Sequence, residues 1–353
     1  MPFRKNWFST LLALLSLVTV EAAWAAPEFH PGTVWLDTDG KPIQAHGGGV
    51  LLHDNVYYWY GEDRTPGLRS AVSCYSSTNL LDWKREGVAL WQTNLPVVNQ
   101  RRAFVERPKV IYNPRTKKFV MWMHVEQGRY DFARAGIAVS DTPAGPFTFL
   151  QVIRPVANTN DFAAADSDPA LQRELGGMFR DMNLFVDDDD RAYVFYASED
   201  NWTMYVARLN GDFTGPETPA VENRTWARIL VKEHREAPAP FKWRGRYYLI
   251  TSACTGWAPN AASYSTADNI LGPWKTFGNP CTGTNAAATF GAQSTFVLPA
   301  PGRPGGFIFM ADRWNPWNLP DSRYVWLPFT MNPDNTFTIP WRDAWNVSDF
   351  ATQ

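Results

Sequence analysis

Along this chain, apolar residues come in short runs broken by polar or glycine-rich turns, and helical spacing is scarce. The recurring unit is a short apolar strand, a polar turn, and a second strand rich in Tyr, Phe and Trp. It occurs five times in order: HGGGVLLHDNVYYWYGED, ERPKVIYNPRTKKFVMWMHVE, DMNLFVDDDDRAYVFYASED, EAPAPFKWRGRYYLITSAC and QSTFVLPAPGRPGGFIFMADRW. Several copies continue into a Ser-rich strand, a turn, and Gly-Pro or Asp before an aromatic, as in SCYSSTNLLDW, IAVSDTPAGPF and ASYSTADNILGPW. A repeat of roughly 50–75 residues built from four strands is the mark of a β-propeller blade. The pattern predicts an all-β, five-bladed β-propeller filling residues 26–353 as a single domain, with the first blade beginning near residue 31. A β-sandwich with chance likeness among hairpins is the competing fold, and ordered recurrence with matching second halves argues against it. One stretch falls outside the repeats: residues 154–180 form a long connection, with a short helix expected in DPALQRELGG and a place near the mouth of the channel.

In a propeller, the innermost strand of each blade lines a central channel. Counting back six positions from the last residue before each hairpin turn reaches the same slot in every repeat. Those residues are His46, Glu106, Asp181, Glu236 and Gln293. A histidine, three carboxylates and an amide are thus expected to converge at one mouth. Converging carboxylates repel one another, raise at least one pKa, and cost stability unless they serve chemistry.

Composition narrows the chemistry. The formal net charge of -2, without long basic blocks, makes nucleic acid a poor partner. Aromatic residues make up 15% of the chain, with 17 Trp; core packing must take most of them, and the remainder suit the C–H faces of sugars. The start, MPFRKNWFSTLLALLSLVTVEAAWA, has a basic n-region, an apolar run and an A-x-A site, so residues 1–25 read as a signal peptide. Secretion or periplasmic export is expected, with no membrane partner after cleavage and a monomer in solution. Of Cys74, Cys254 and Cys281, a Cys254–Cys281 disulfide would close a loop between neighbouring strands. The Asp187–Asp190 run invites calcium, but a solvated hairpin turn explains it more simply. The histidines show no metal-ligand spacing, so no metal or other cofactor is expected, although a structural calcium in the channel stays open. The carboxylates would therefore either hold a cation or hydrolyse a glycosidic bond, which needs a protonated acid and a group that activates water.

The runs EAPAPFKWRGRYYLITS and RDMNLFVDDDDRAYVFYAS resemble glycoside hydrolase family 43. More narrowly, IQAHGGG, YYWYGED, FVERPKV, TGWAPN and GAQSTF look like its exo-β-1,3-galactanase branch. The resemblance covers nearly the whole mature chain. It implies an inverting glycosidase that releases galactose from β-1,3-galactan, with Glu236 as general acid and Asp181 keeping that acid's pKa high. Where most of the family has an aspartate base, this chain has His46; the branch shares that departure and places a glutamine at Gln293. The role so implied is an imidic acid that activates water, whereas plain acid–base logic prefers Glu106 as the base. The resemblance further implies substrate contacts at Glu62, Tyr130, Asn201 and Thr255. Trp257 is a candidate stacking platform and His46 a channel donor, the adjacent glycines suggesting backbone crowded against substrate. Two alternatives remain: another family 43 specificity (α-L-arabinofuranosidase or β-xylosidase), or a non-catalytic carbohydrate-binding propeller that has lost its base. The chain ends soon after the fifth repeat, so no appended carbohydrate-binding module is expected.

Overall fold

The computed structural model describes residues 1, 27–65, 71–91, 103–127, 130, 132–156 and 177–352. The signal peptide and the helix expected in DPALQRELGG lie outside them, apart from Met1 and Gly177. Four sheets have four antiparallel strands each, in sequence order from the channel outward. Blade 1 holds β1 (His46–His53), β2 (Val56–Asp63), β3 (Ala71–Ser77) and β4 (Lys84–Leu90). Blade 2 holds β5 (Ala103–Asn113), β6 (Lys118–Gln127), β7 (Arg134–Ser140) and β8 (Thr148–Ile153). Blade 3 holds β9 (Met182–Val186), β10 (Ala192–Ser198), β11 (Thr203–Arg208) and β12 (Trp226–Ile229). Blade 4 holds β13 (Arg235–Trp243), β14 (Arg246–Ala253), β15 (Ser263–Ala267) and β16 (Lys275–Thr276). After β17 (Cys281–Thr282), blade 5 has three strands, β18 (Gln293–Pro299), β19 (Gly306–Arg313) and β20 (Arg323–Thr330). Beyond it, β21 (Ile339–Pro340) touches β20 and pairs in parallel with β17.

The inner strands β1, β5, β9, β13 and β18 contact one another in that order and close back on β1, so the five hairpins make a five-bladed propeller. Each interface between blades has its own apolar cluster. Tyr60 and Leu90 meet Val105 and Met123 between blades 1 and 2, and Ile111 and Trp122 meet Leu184 and Tyr196 between 2 and 3. Phe195 and Met204 meet Leu249 and Ile270 between 3 and 4, and Phe241 and Tyr248 meet Phe307 and Leu327 between 4 and 5. Trp59 and Trp83 meet Met310 and Trp326 between 5 and 1. The aromatic surplus is therefore largely interblade packing. The Gly-Pro-aromatic signature belongs to it too: Phe147 and Trp274 pack into these clusters behind cis Gly145–Pro146 and Gly272–Pro273 peptides.

The ring is latched beside blade 5. Phe29 and Trp345 exchange backbone hydrogen bonds (2.7 and 3.1 Å) and stack with ring centroids 4.2 Å apart. The Tyr324 hydroxyl donates to Ile43 O (2.9 Å) and accepts from Ala45 N–H (2.9 Å), tying the segment before β1 to β20.

Two local expectations change. All three cysteines are free. Cys254 lies at the channel mouth with its Sγ 3.9 Å from Asn201 O, whereas Cys281 is buried in the cluster between blades 4 and 5, so no Cys254–Cys281 bridge forms. In the acidic run, Asp187 accepts from the Tyr247 hydroxyl (2.5 Å) and from Lys242, which also lies 2.8 Å from Asp188. The run is the β9–β10 hairpin turn, and it ties blade 3 to blade 4. Among the described residues, no group of three or more His, Cys, Asp and Glu is arranged to hold a metal ion. No helix among them is long and apolar enough to cross a membrane.

Candidate active site

Among the described residues, two cavities of about 300 Å³ or more open along the channel. One of about 380 Å³, at the far end from the slot residues, is lined mostly by apolar inner-strand positions such as Val50, Ile111, Leu184 and Val297. The other, of about 300 Å³, is where the ionisable groups gather. Volume favours the first and chemistry the second, because only the second places several acids and bases around one void.

Bulges help to aim Glu106, Glu236 and Gln293 into this cavity. The ladder slips by a residue just after His46, Glu106, Glu236 and Ser294, in four of the five inner strands. The bulged residues Gly47, Arg107 and Ala237 have positive φ (58°, 54° and 53°). A bulge bends a strand and redirects the side chain beside it. It also strips carbonyls of ladder partners, and buried carbonyls need donors. Side chains one layer down supply them: Lys109 Nζ donates to Gly47 O (2.7 Å) and Ser294 Oγ to Ala237 O (2.7 Å). Asn183 Nδ2 donates to Pro238 O and Thr295 O, both at 2.9 Å. Burial and Arg107 push the Lys109 ammonium down to about 7. The channel floor is thus a buried hydrogen-bonded layer with the reactive layer standing on it.

In the reactive layer, Glu236 accepts from Gln293 Nε2 at 2.8 Å on one oxygen and from Asn201 Nδ2 at 3.2 Å on the other. Burial and the neighbouring Asp181 push its carboxyl up to about 8, against the pull of Arg107. Asp181 Oδ2 lies 2.9 Å from Arg107 Nη2. Arg107 also bonds Gln293 Oε1, and its own N–H donates to Glu62 Oε1 (3.0 Å). Its guanidinium stays charged, because burial is outweighed by Asp181, Glu62 and further carboxylates. Glu106 accepts from the Tyr130 hydroxyl (2.8 Å) and lies 3.3 Å from His124 Nδ1 and 3.7 Å from Arg64. Burial pushes Glu106 up, but these three neighbours win and hold it at about 2. Glu62 is bonded by Arg64, yet burial still raises its pKa. The two key carboxyls are therefore driven apart, Glu236 protonated and Glu106 ionised near neutral pH, a division that suits acid–base work.

Gln293 is held in one orientation. Its Oε1 receives Arg107 and Trp314 Nε1 (3.1 Å), and both of those groups only donate. Its Nε2 donates to Glu236 and to Ser252 Oγ (3.0 Å). All four hydrogen-bonding positions of the amide are filled. An imidic acid would carry a proton on the oxygen that two obligate donors already occupy, so this arrangement favours the ordinary amide.

Of the residues expected from sequence, Glu62, Glu106, Tyr130, Asp181, Asn201, Glu236, Trp257 and Gln293 line the cavity. His46 and Thr255 do not. His46 is fully buried, stacked on Tyr324 with centroids 5.0 Å apart and 3.4 Å from Asp312. The expected crowding at its glycines is real but comes from the protein: a Cβ at Gly47 would meet Glu62 Oε1 at 2.6 Å, and one at Gly48 would meet Tyr60 O at 1.8 Å. Thr255 is spent on its own loop, donating to Ala258 O (2.5 Å) and accepting from Asn260 (2.7 Å). The arginines Arg64, Arg107 and Arg180, with His124 and Trp314, were not anticipated. A signal existed for the arginines: they stand one or two positions from Glu62, Glu106 and Asp181. Adjacency misleads at Arg235, which turns away from Glu236 to donate to Thr251 Oγ1 (3.0 Å) and Thr251 O (2.7 Å).

No curated protein matches the chain. Among solved structures, a β-1,3-galactosidase of glycoside hydrolase family 43, determined with galactodeoxynojirimycin, superposes with a TM-score of 0.80 at 43% identity, covering 90% of this chain and 100% of its own. The exo-β-1,3-galactanase 1,3Gal43A from Clostridium thermocellum gives 0.80 at 36% identity, over 91% of this chain and 67% of its own. An exo-β-1,3-galactanase from Phanerochaete chrysosporium, determined with β-1,3-galactotriose, gives 0.76 at 31% identity, over 91% and 68%. The model of glycosyl hydrolases family 43 matches residues 49–294. With five blades, a cavity of paired carboxyls and this match over most of its length, the chain belongs to glycosyl hydrolase family 43.

Proposed function

We propose that the protein is an exo-acting, inverting β-1,3-galactosidase that removes galactose from the non-reducing end of β-1,3-galactan. The observation that carries the reading is Glu236, a carboxyl held up to about 8 inside the cavity and gripped by two amide donors. A carboxyl protonated at neutral pH can give its proton to a departing glycosidic oxygen. Asp181 is close enough to keep it protonated, and Arg107 holds Asp181 in place at 2.9 Å. The cavity of about 300 Å³ suits a terminal sugar rather than a threaded chain, which favours exo action. The substrate follows from the likeness to a β-1,3-galactosidase and to exo-β-1,3-galactanases. The leader-like start supports export.

On this reading the entering sugar separates Glu236 from Gln293, and the freed Gln293, as its imidic acid tautomer, positions the attacking water and takes its proton on the side-chain nitrogen. A second reading assigns that water's proton to Glu106, favoured by the filled hydrogen bonds of Gln293 and the ionised state of Glu106. The first test is proton NMR of the mature protein acting on β-1,3-galactotriose. Early α-galactose supports inversion and exo action; early β-galactose, or no release while xylo- or arabino-oligosaccharides are cut, overturns the reading. Glu106→Gln and Gln293→Ala then separate the two water-activating roles. The base is the residue whose loss is partly rescued by added azide, which needs no deprotonation.

A further inference from the structure

Trp317 stands almost wholly in water, with 94% of its surface exposed. Among the described residues after Met1, the next most exposed large apolar side chain is Leu36 at 53%, so Trp317 is set apart from ordinary surface residues. Its position follows from topology. Gln293 opens β18 at the cavity mouth and pairs with Asp312 near the end of β19, so the β19–β20 connection lies on the cavity face. That connection begins with Trp314, a wall of the cavity, and reaches Trp317 three residues later. Three residues of chain span at most about 11 Å, the scale of one or two sugar rings.

The connection is rigid although its tryptophan is free. Asn315 N–H donates to Ser322 Oγ (3.0 Å), Asn318 N–H to Asn315 O (3.0 Å), and Asp321 N–H to Asn318 O (2.8 Å). Gln44 Nε2 reaches across from the segment before β1 to Pro320 O (2.8 Å). Pro316 and Pro320 restrict the backbone on either side of Trp317. A fixed backbone holding out one bare indole is preorganised for a flat apolar partner, because little freedom remains to be lost on binding.

The direction of the row identifies that partner. Glu236 marks the side from which the leaving group departs, and it is bonded to Gln293 of blade 5. Trp257 and Trp314 stand on that same side, edge to face with centroids 5.7 Å apart. We propose that Trp317 continues this row as a stacking platform for the third sugar counted from the non-reducing end of the substrate. The terminal galactose fills the cavity, the second unit lies against Trp257 and Trp314, and the third lies on Trp317. The galactan reading underlies this assignment.

The experiment compares the parent protein with Trp317→Ala and Trp317→Phe on β-1,3-galactobiose and β-1,3-galactotriose. Galactobiose ends before Trp317, so kcat/KM on it should stay within about twofold for both variants, which also reports correct folding. On galactotriose, Trp317→Ala should lose about threefold to tenfold in kcat/KM, mainly through KM, and Trp317→Phe should recover most of it. Equal losses on both substrates would mean that the residue merely shapes the loop, and no loss on either would mean an idle surface; each overturns the platform alone. If the parent releases galactose from neither, the substrate reading falls and takes the platform with it.

Discussion

Glu236 and Glu106 show how neighbours, rather than residue type, assign chemistry. Both are glutamates on bulged inner strands, yet burial with Asp181 lifts one to about 8 and a His–Tyr–Arg cradle drops the other to about 2. In its proposed role of general acid, Glu236 must be protonated, so kcat/KM should hold level through neutral pH and fall about tenfold per pH unit above about 8. Glu236→Gln should cost roughly 10²- to 10⁴-fold on galactobiose. The loss should be much smaller on a dinitrophenyl galactoside, whose leaving group needs no proton. A uniform loss on both substrates would assign Glu236 to binding instead. The same shift has a stability consequence. The folded state keeps a proton that the unfolded chain gives up near 4.5, so this contribution is complete below 4.5 and disappears as pH rises through about 8. Glu236→Gln cannot ionise, and its Tm should therefore gain on the parent between pH 6 and pH 9.

At the scale of elements, the bulged inner strand is the device that turns a repeated hairpin into a site. Its cost is visible at Gly47, where φ is 58° and a Cβ would lie 2.6 Å from Glu62 Oε1. Gly47→Ala should destabilise by about 1–3 kcal/mol and raise KM, because Glu62 and Arg107 must both move. Gly40 is the control, with φ 74° and open space around it; Gly40→Ala carries the backbone strain alone. Thermal melts that show equal losses for the two would mean that the Gly47 contact is readily relieved. The hairpin count and the slot positions were legible because alternating apolar residues and polar turns recur at fixed spacing. That counting reached Glu106, Asp181, Glu236 and Gln293 but also His46, which the same arithmetic could not tell from its neighbours. The ladder slips after His46 as it does after Glu106 and Glu236, but Tyr324 and Asp312 of blade 5 hold the imidazole out of the cavity, and those partners lie far away in sequence. Arg107 was hidden because a bulge changes no residue type: only its positive φ turns a side chain next to Glu106 into the site. Thr255 was misplaced because its hydroxyl is satisfied inside its own loop, which requires knowing how Asn260 folds back.

At the scale of the whole molecule, five separate apolar interfaces hold a ring whose site belongs to no single blade. Glu236 of blade 4 needs Gln293 of blade 5, Asp181 before blade 3, and Arg107 of blade 2. A gap at any interface would pull these apart, so the latch between the segment before β1 and the segment after β21 matters to chemistry about as much as to folding. Trp345 is its centre: buried, stacked on Phe29, and donating through Nε1 to Trp326 O at 2.8 Å. Trp345→Ala removes a buried indole and leaves a cavity, a change that typically costs about 3–5 kcal/mol. If the ring unfolds as one unit, the urea midpoint should fall with the m-value unchanged, and activity and intrinsic fluorescence should be lost together. If the latch can open on its own, activity should disappear at a lower urea concentration than fluorescence, with a smaller m-value. The first outcome is expected, because Trp326 is shared between the latch and the interface of blades 5 and 1, so breaking one exposes the other.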